Sequence, residues 1–173
     1  MKQANYYLII DSIRIGNIEP ILEKYNYEYG SLYSGTEWAS QITLSPLWIK
    51  VTPDCYIWEK WNHNETWGNS GIIYQYVDTP HQEVIEQFKN NITTYSNDGK
   101  LYLVRYYSPK ALYKALSKLT EDIITHFTCY ANRIYISKNA SNKINKNLIF
   151  KIDITNSNTR NCFSPEMIKE LIF

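Results

Sequence analysis

Glycine is scarce in this chain of 173 residues, which contains only six. None of the six falls into the spacing GxGxxG, GxxxxGKS or GxxxxGKT, so the chain has no glycine-rich loop that could cradle a phosphate group. The serines also lack the GxSxG surround that presents a serine nucleophile on a sharp turn. These absences argue against nucleotide chemistry and against that class of serine enzyme.

Cysteine and histidine are scarce as well, with three residues of each. Cys55, Cys129 and Cys162 lie far apart without a CxxC pair, and the histidines show neither HExxH nor HxH spacing. Structural zinc sites need closely spaced ligands, and disulfide frameworks of small secreted folds need an even number of cysteines. We therefore expect no metal site and free thiols, as in proteins of the reducing cytoplasm.

Long apolar runs and an excess of one charge are also missing. The opening MKQANYYLIIDS has no cleavage site typical of a signal peptide, and no window approaches the roughly 18 apolar residues of a membrane span. The formal net charge is only +1, whereas nucleic-acid binding typically needs a basic surface. We expect neither membrane insertion nor nucleic-acid binding.

Tyrosine is the residue that the chain has in abundance. There are 16 tyrosines, beside five tryptophans and five phenylalanines. Tyrosine and tryptophan combine a large apolar body with one polar group, so they are frequent where proteins bind other proteins. A second explanation stays open, because an AT-rich coding sequence would also produce a chain rich in tyrosine, asparagine, isoleucine and lysine.

The order of apolar runs and turn signals predicts an α/β fold. Strands are expected at 6–11, 45–54, 72–77, 100–107 and 133–137, with a tight turn at the NDG of 97–99. Helices are expected from a cap at Asn17 to a stop at Gly30, from Asp78 or Thr79 to Ile92, and from Pro109 onward. We expect a mixed sheet of about four to six strands, covered by helices. The expected domains are an α/β domain over 1–137 and a short C-terminal extension of a strand and a helix over 138–173.

Three side chains would suit an enzyme, but each has a more ordinary explanation. His126 and Cys129 lie three residues apart, a spacing that brings them to one helical face and could activate a thiolate. Cys129 also lies in an apolar run, where burial raises the pKa of a thiol and leaves it inert. Asp11 follows the first strand, where α/β enzymes hold carboxylates, but an aspartate there commonly bonds turn amides. We expect no catalytic residue.

Two apolar sets are candidates for binding another protein. Trp58, Trp61 and Trp67 fall within ten residues around the polar stretch NHNE, so they are either exposed anchors of an interface or core residues. The terminal stretch SPEMIKELIF predicts a helix with an apolar stripe that includes Met167 and Leu171. This stripe either closes the core or docks a segment of a partner.

Several stretches occur in a recognisable order: YYLIIDS, SLYSGTEW, SPLWIKV, WEKWNHNETWGNSGIIY, GKLYLVRYYSPKALYKAL and HFTCYANRIYIS. This order resembles the effector-chaperone (adaptor) family of bacterial type VI secretion, formerly classed as a domain of unknown function. That family shows a strand ending at an aspartate, a Ser-Leu-Tyr element, a Pro-Leu strand, a Trp-Gly turn and an Arg-Tyr-Tyr-Asp-Pro-Arg signature. The matching residues are Asp11, Leu32, Tyr33, Pro46, Leu47, Trp67, Gly68, Arg105, Tyr106, Tyr107 and Pro109, whereas Ser108 and Lys110 depart from the signature.

The resemblance implies a protein with no catalytic activity and no cofactor. Such a protein holds a toxic effector in the cytosol and helps to load it onto the spike protein of the secretion machine. Two other functions stay open. An immunity protein that neutralises a toxin is also small and encoded beside effectors, and a small enzyme would use the side chains considered above.

The signature around Arg105 has a physical explanation. Pro109 suits the first position of a helix, and Ser108 can cap that helix. We expect Arg105 to lie at the end of a strand next to the first strand and to pair with Asp11. Tyr106 and the adjacent Tyr107 either hold the fold, like Arg105 and Pro109, or contact the effector.

Overall fold

The structure is a computed structural model that describes residues 3–116 and 127–141. The strands in these ranges are β1 (Ala4–Ile10), β2 (Tyr29–Ser31), β3 (Leu47–Val51), β4 (Gly71–Val77), β5 (Thr93–Tyr95), β6 (Leu101–Leu103) and β7 (Arg133–Tyr135). The helices are α1 (Ser12–Ile15), α2 (Glu19–Lys24), a 3₁₀ helix (Ala39–Leu44), α3 (Tyr56–His63), α4 (Glu65–Gly68), α5 (His81–Asn91), α6 (Pro109–Leu116) and α7 (Lys138–Ser141). None of these helices is long and apolar enough to cross a membrane.

Five strands form one sheet in the order β2-β3-β1-β4-β7, and β5 pairs with β6 in a separate hairpin. Every pair of neighbouring strands is antiparallel. β3 and β4 run in the same direction and are linked by α3 and α4, but β1 lies between them. The α/β class and the number of strands agree with the sequence. The pairing differs from the expected mixed sheet because β1 separates the two parallel strands.

Helices cover both faces of the central sheet, which explains why β1 is an unbroken apolar run. Tyr7 and Ile9 point to the face covered by α5 and α6, which we call the α5 face. Leu8 and Ile10 point to the face covered by α2, α3 and α4, which we call the α3 face. All four side chains are fully buried. The alternation of side chains along the strand therefore supplies two separate cores.

The α5 face uses tyrosine as a core residue. The hydroxyl of Tyr76 donates to a main-chain carbonyl at 2.7 Å, and the hydroxyl of Tyr106 donates to the carbonyl of Phe88 at 3.0 Å. The ring of Phe88 lies between 5.4 and 6.5 Å from the rings of Tyr7, Tyr74, Tyr76 and Tyr106. Both hydroxyls keep a hydrogen bond although their rings are buried. Part of the tyrosine content is therefore core.

Two predicted helix boundaries are wrong. Gly30, predicted to stop a helix, lies in β2 opposite Trp48, whose indole ring lies only 2.9 Å from the place where a Cβ would stand. Glycine is needed there to make room for the indole ring on the neighbouring strand. α2 is preceded by Ile18 without a side-chain cap, whereas Asn17 was the predicted cap.

The predicted strand at 100–107 is wrong in its length and in its neighbour. β6 ends at Leu103 and pairs with β5 across the predicted NDG turn, in which Gly99 has a φ of 79°. The sequence did not predict β5, which is only three residues long. Arg105 consequently lies in the turn before α6 and not at the end of a strand beside β1.

The chain continues to pack against the domain beyond residue 137. The amide of Lys138 donates to Oδ1 of Asn62 at 3.2 Å, and Ala140 is buried. Gly68 approaches Ser137 so closely that any Cβ would collide with the serine hydroxyl. α7 therefore packs against α3 and α4, and the division at 138 stays a prediction. Met167 and Leu171 lie outside the described residues.

Candidate functional site

Residues that are far apart in the sequence meet where β1 ends. The amide of Asp11, the first residue after β1, donates to the carbonyl oxygen of Ser70 at 2.9 Å. Close by, the amide of Leu32 donates to the carbonyl oxygen of Pro46 at 3.0 Å, and the residue after Pro46 pairs with the last residue of β1. We call this region the Asp11 end of the sheet.

Asp11 and Arg105 form the ion pair that the sequence predicted. Nη2 of Arg105 donates to Oδ2 of Asp11, and Oδ1 of Asp11 accepts from the amide of Arg14 at 3.4 Å, which caps α1. The side chain of Asp11 is 11% exposed and that of Arg105 is 38% exposed. A mostly buried carboxylate is thus held by one guanidinium and one amide, so the pair ties the turn before α6 to the end of β1.

Tyr106 and Tyr107 lie in the core below this ion pair. Tyr106 is fully buried, and Tyr107 is 3% exposed. The guanidinium carbon of Arg105 lies 5.9 Å from the centroid of the Tyr107 ring. Burial raises the pKa of Tyr107, and the positive charge of Arg105 opposes that rise. This burial favours the scaffold role for both tyrosines because little ring surface is accessible, and contact with a partner stays a prediction.

Ser108 and Pro109 form the predicted start of a helix. α6 begins at Pro109, and the hydroxyl of Ser108 accepts from the amide of Ala111 at 3.4 Å. The amide of Ser108 donates to the carbonyl oxygen of Arg105 at 3.0 Å and closes the turn. Proline fixes φ and has no amide to leave unsatisfied at the first helical position. The turn is therefore well defined, and it holds Arg105 beside Asp11.

Two of the three candidate tryptophans are core residues. Trp61 and Trp67 are only 2% and 5% exposed on the α3 face, and Nε1 of Trp61 donates to the carbonyl oxygen of Gly71 at 2.9 Å. Of the two alternatives left open, this burial favours the core, because α3 and α4 turn both positions toward the sheet. Trp58 is half-buried, and its ring lies edge-on to the ring of Tyr6 at 5.6 Å.

Three exposed side chains at the Asp11 end are aliphatic, and sequence reasoning missed them. Ile13 in α1 is 59% exposed, and Ile42 and Leu44 in the 3₁₀ helix are 45% and 50% exposed. The hydroxyl of Ser12 donates to the carbonyl oxygen of Ser45 at 2.7 Å and ties the two short helices together. We call Ile13, Ile42 and Leu44 the apolar rim. Both helices are too short to show an amphipathic period, so periodicity gave no signal.

The candidate nucleophile Cys129 lies in the core. Its side chain is fully buried, and burial raises the pKa of the thiol well above its ordinary value. His126 lies outside the described residues. Within 3–116 and 127–141, no group of three or more histidine, cysteine, aspartate or glutamate side chains could hold a metal ion.

A comparison with family models matches residues 6–125 to a family described as "Domain of unknown function (DUF4123)". The matched segment is more than half of the chain. The chain belongs to this family. Comparisons with curated proteins and with solved structures found no match.

The DUF4123 segment contains the whole Asp11 end. It extends from β1 past α6, so it includes Asp11, the apolar rim, Arg105 and Pro109, whereas β7 and α7 lie beyond it. The individual matching residues named for the resemblance, from Asp11 to Pro109, all lie inside this segment, whereas the last of its stretches, HFTCYANRIYIS, lies beyond it. The matching residues whose contacts are described above act as scaffold residues. The exposed side chains next to them are the ones that a second protein could reach.

Proposed function

We propose that this protein is a non-catalytic adaptor that binds a type VI secretion effector in the cytosol and assists its loading onto the spike protein. Membership of the DUF4123 family and the order of the sequence elements support this proposal. The observation that carries it is the Asp11 end, where buried residues of the family segment support three exposed aliphatic side chains.

The apolar rim has the anatomy of a protein interface. Single exposed aliphatic side chains are ordinary on a protein surface, but those of the apolar rim lie on two elements that the Ser12 to Ser45 hydrogen bond ties together. Arg14 is exposed beside this rim, and the partly exposed Arg105 adds a second guanidinium. An apolar centre bordered by polar and charged groups is what partner-binding surfaces typically show.

The supporting scaffold favours binding without rearrangement. Asp11 is fixed by two donors, and the Ser12 to Ser45 hydrogen bond holds α1 against the end of the 3₁₀ helix. Presenting side chains from fixed elements lowers the entropy that binding would otherwise cost. Release of the effector at the spike requires an interface of ordinary size, and a rim built from two short helices fits that requirement.

Co-purification tests the proposal. The protein is co-expressed with the effector and the spike protein encoded beside it, and capture of each is compared between the wild type and Ile42→Asp/Leu44→Asp. We expect the variant to lose about tenfold or more of its effector binding, because charges cannot be desolvated cheaply in an apolar contact. The control, Leu101→Asp/Tyr113→Asp, changes exposed apolar residues of β6 and α6 and should bind normally.

A toxicity assay separates the adaptor from an immunity protein. Cells that produce the toxin with this protein should gain no protection, and cells that lack this protein should secrete less effector. Protection without any effect on secretion would contradict the proposal. If the rim variant captures the effector normally, the apolar rim is not the effector-binding surface.

A further inference from the structure

A second exposed cluster lies at the opposite end of the sheet. We call this the Val51 end, because Val51 closes β3 there and pairs with Tyr6 of β1. Tyr25, which follows α2, and Tyr56, the first residue of α3, stack with centroids 5.0 Å apart and planes 20° from parallel. They are 46% and 45% exposed. β1 is seven residues long, which separates the two ends by about 20 Å.

Two lysines flank the stacked tyrosines. Nζ of Lys24 lies 5.1 Å from the centroid of the Tyr25 ring, and Nζ of Lys60 lies 5.8 Å from that of Tyr56 and 4.6 Å from that of Trp67. Neither ammonium group has a carboxylate partner within the described ranges. Their contacts with the rings hold both charges at the edge of the tyrosine pair.

Two of the nearby acidic groups have other partners. Glu59 of α3 is paired with Nδ1 of His63 at 3.1 Å, and Glu28 is paired with Nζ of Lys50 at 3.3 Å. Among the described residues, the cluster presents two ammonium groups, which only donate hydrogen bonds, and two phenol hydroxyls, which can donate or accept.

The cluster is also held rigidly. The hydroxyl of Tyr27 accepts from the amide of Ile57 at 3.3 Å, and the Tyr27 ring contacts the Tyr25 ring at 6.4 Å. Asn26 between them has a φ of 52°, which marks the tight turn after α2. The turn after α2 is thereby fastened to the start of α3. Aromatic residues held in this way lose little conformational entropy when a partner binds.

We propose that Tyr25, Tyr56, Lys24 and Lys60 form a second protein-binding surface, which takes an acidic segment of a partner protein. Carboxylates of the segment accept from the two ammonium groups and the phenol hydroxyls, while its apolar side chains lie on the exposed ring edges. The surface is far enough from the apolar rim for both to be occupied together. The identity of the partner that binds this surface rests on the proposed function. The prediction that the surface binds an acidic segment does not depend on it.

A defined peptide tests the chemistry directly. The probe is a fluorescein-labelled peptide with four glutamates around one leucine, and the control peptide has glutamine at the same four positions. Fluorescence anisotropy is measured with the wild type, with Lys24→Gln/Lys60→Gln, and with the matched charge control Lys89→Gln/Lys110→Gln. We expect the acidic peptide to bind the Lys24→Gln/Lys60→Gln variant about tenfold more weakly than the wild type, with binding that weakens in high salt. The charge control should bind as the wild type does.

Two results would overturn the inference. One is equal binding of the acidic and the glutamine peptide, and the other is equal loss of binding in both lysine variants. Binding of the wild type to phosphatidylserine vesicles but not to the acidic peptide would also overturn it, since the occupant would be a lipid surface. Failure of the effector and the spike protein to bind anywhere would refute the adaptor proposal while leaving the peptide result intact.

Discussion

The Asp11 end and the Val51 end of the sheet differ in the polar group that they bury. At one end, the carboxylate of Asp11 is held by the guanidinium of Arg105. At the other, the fully buried Tyr7 shares a hydrogen bond of 3.0 Å with Nδ1 of His81, whose Nε2 lies 3.3 Å from Glu28. One end thus depends on a buried charge and the other on a neutral phenol. The two ends should therefore lose different amounts of stability when the residue that holds the buried carboxylate or the buried phenol is removed.

Both ends carry exposed apolar residues because the faces of the sheet are already used. Helices cover the α5 face and the α3 face, so a partner can reach the domain chiefly through the short segments that connect the elements. The apolar rim and the tyrosine pair are both built on such segments. The predictions below change one end at a time, beginning with the largest effect on stability.

Removing the side chain of Arg105 should cause the largest loss of stability. The change Arg105→Ala leaves the mostly buried carboxylate of Asp11 without its counter-charge, and we expect the free energy of unfolding to fall by about 3 kcal/mol. Urea unfolding followed by circular dichroism measures this loss. The control Asp11→Asn/Arg105→Ala removes the charge as well and should recover part of the stability. A loss below about 0.5 kcal/mol would show that solvent already supports the carboxylate.

Removing His81 should cost less. The change His81→Ala leaves the buried hydroxyl of Tyr7 without its partner, and we expect the free energy of unfolding to fall by about 1–2 kcal/mol. The double variant Tyr7→Phe/His81→Ala has no orphaned hydroxyl, so it should be more stable than His81→Ala alone. The same urea titration compares the variants. Equal stability of the single and double variants would mean that the lost ring contacts, and not the hydroxyl, set the cost.

Alkaline pH should lower the stability of the folded protein through ionisation of the Tyr7 phenol. Burial, and then the charge of Glu28, raises the pKa of Tyr7 from 10.0 to about 12. The folded state therefore holds this proton more tightly than the unfolded chain does. Its contribution to stability is complete below pH 10 and is lost as the pH rises toward 12.

Urea midpoints measured from neutral pH to about pH 11 test this dependence. We expect the midpoint of the wild type to fall at the alkaline side, and that of Tyr7→Phe to fall less steeply. The slope should not vanish in the variant, because burial also raises the pKa of Tyr74, Tyr76 and Tyr106. Identical slopes for the wild type and Tyr7→Phe would contradict the assignment to Tyr7.

Changing the apolar rim should affect stability least. We expect Ile13→Ser and Leu44→Ser each to change the free energy of unfolding by no more than about 0.5 kcal/mol, because both side chains are at least half exposed. The fully buried Ile10→Val is the comparison at the same end and should cost about 1 kcal/mol. A similar cost at the rim would mean that these side chains stabilise the fold and are not free for a partner.

Much of the central sheet was predictable from local patterns. The apolar runs of β1, β3 and β4 and the proline at the start of α6 each gave a signal within a few residues. The pairing of Arg105 with Asp11 was also predicted correctly, although the supporting argument placed Arg105 on a strand beside β1. The ion pair forms because a fixed turn, and not strand pairing, brings the guanidinium to the end of β1.

The candidate binding residues were less predictable. Trp61 and Tyr106 looked suitable for an interface but are buried, whereas Ile13 and Leu44 gave no signal and are exposed. Residue type alone does not decide this, because large aromatic residues are used both in cores and in interfaces. Whether a ring is covered depends on helices that are contributed by other parts of the chain.

By itself, the sequence determined which segments form the main strands, that glycine-rich phosphate loops are absent, and that Pro109 follows a sharp turn. Only the tertiary structure decided that β6 pairs with β5, that the tyrosines of the α5 face are core, and that exposed apolar residues gather at the two ends of the sheet. The physical reason is the distance along the chain over which each effect acts. Backbone preference and side-chain periodicity act over a few residues, whereas burial results from contacts between segments that are distant along the chain.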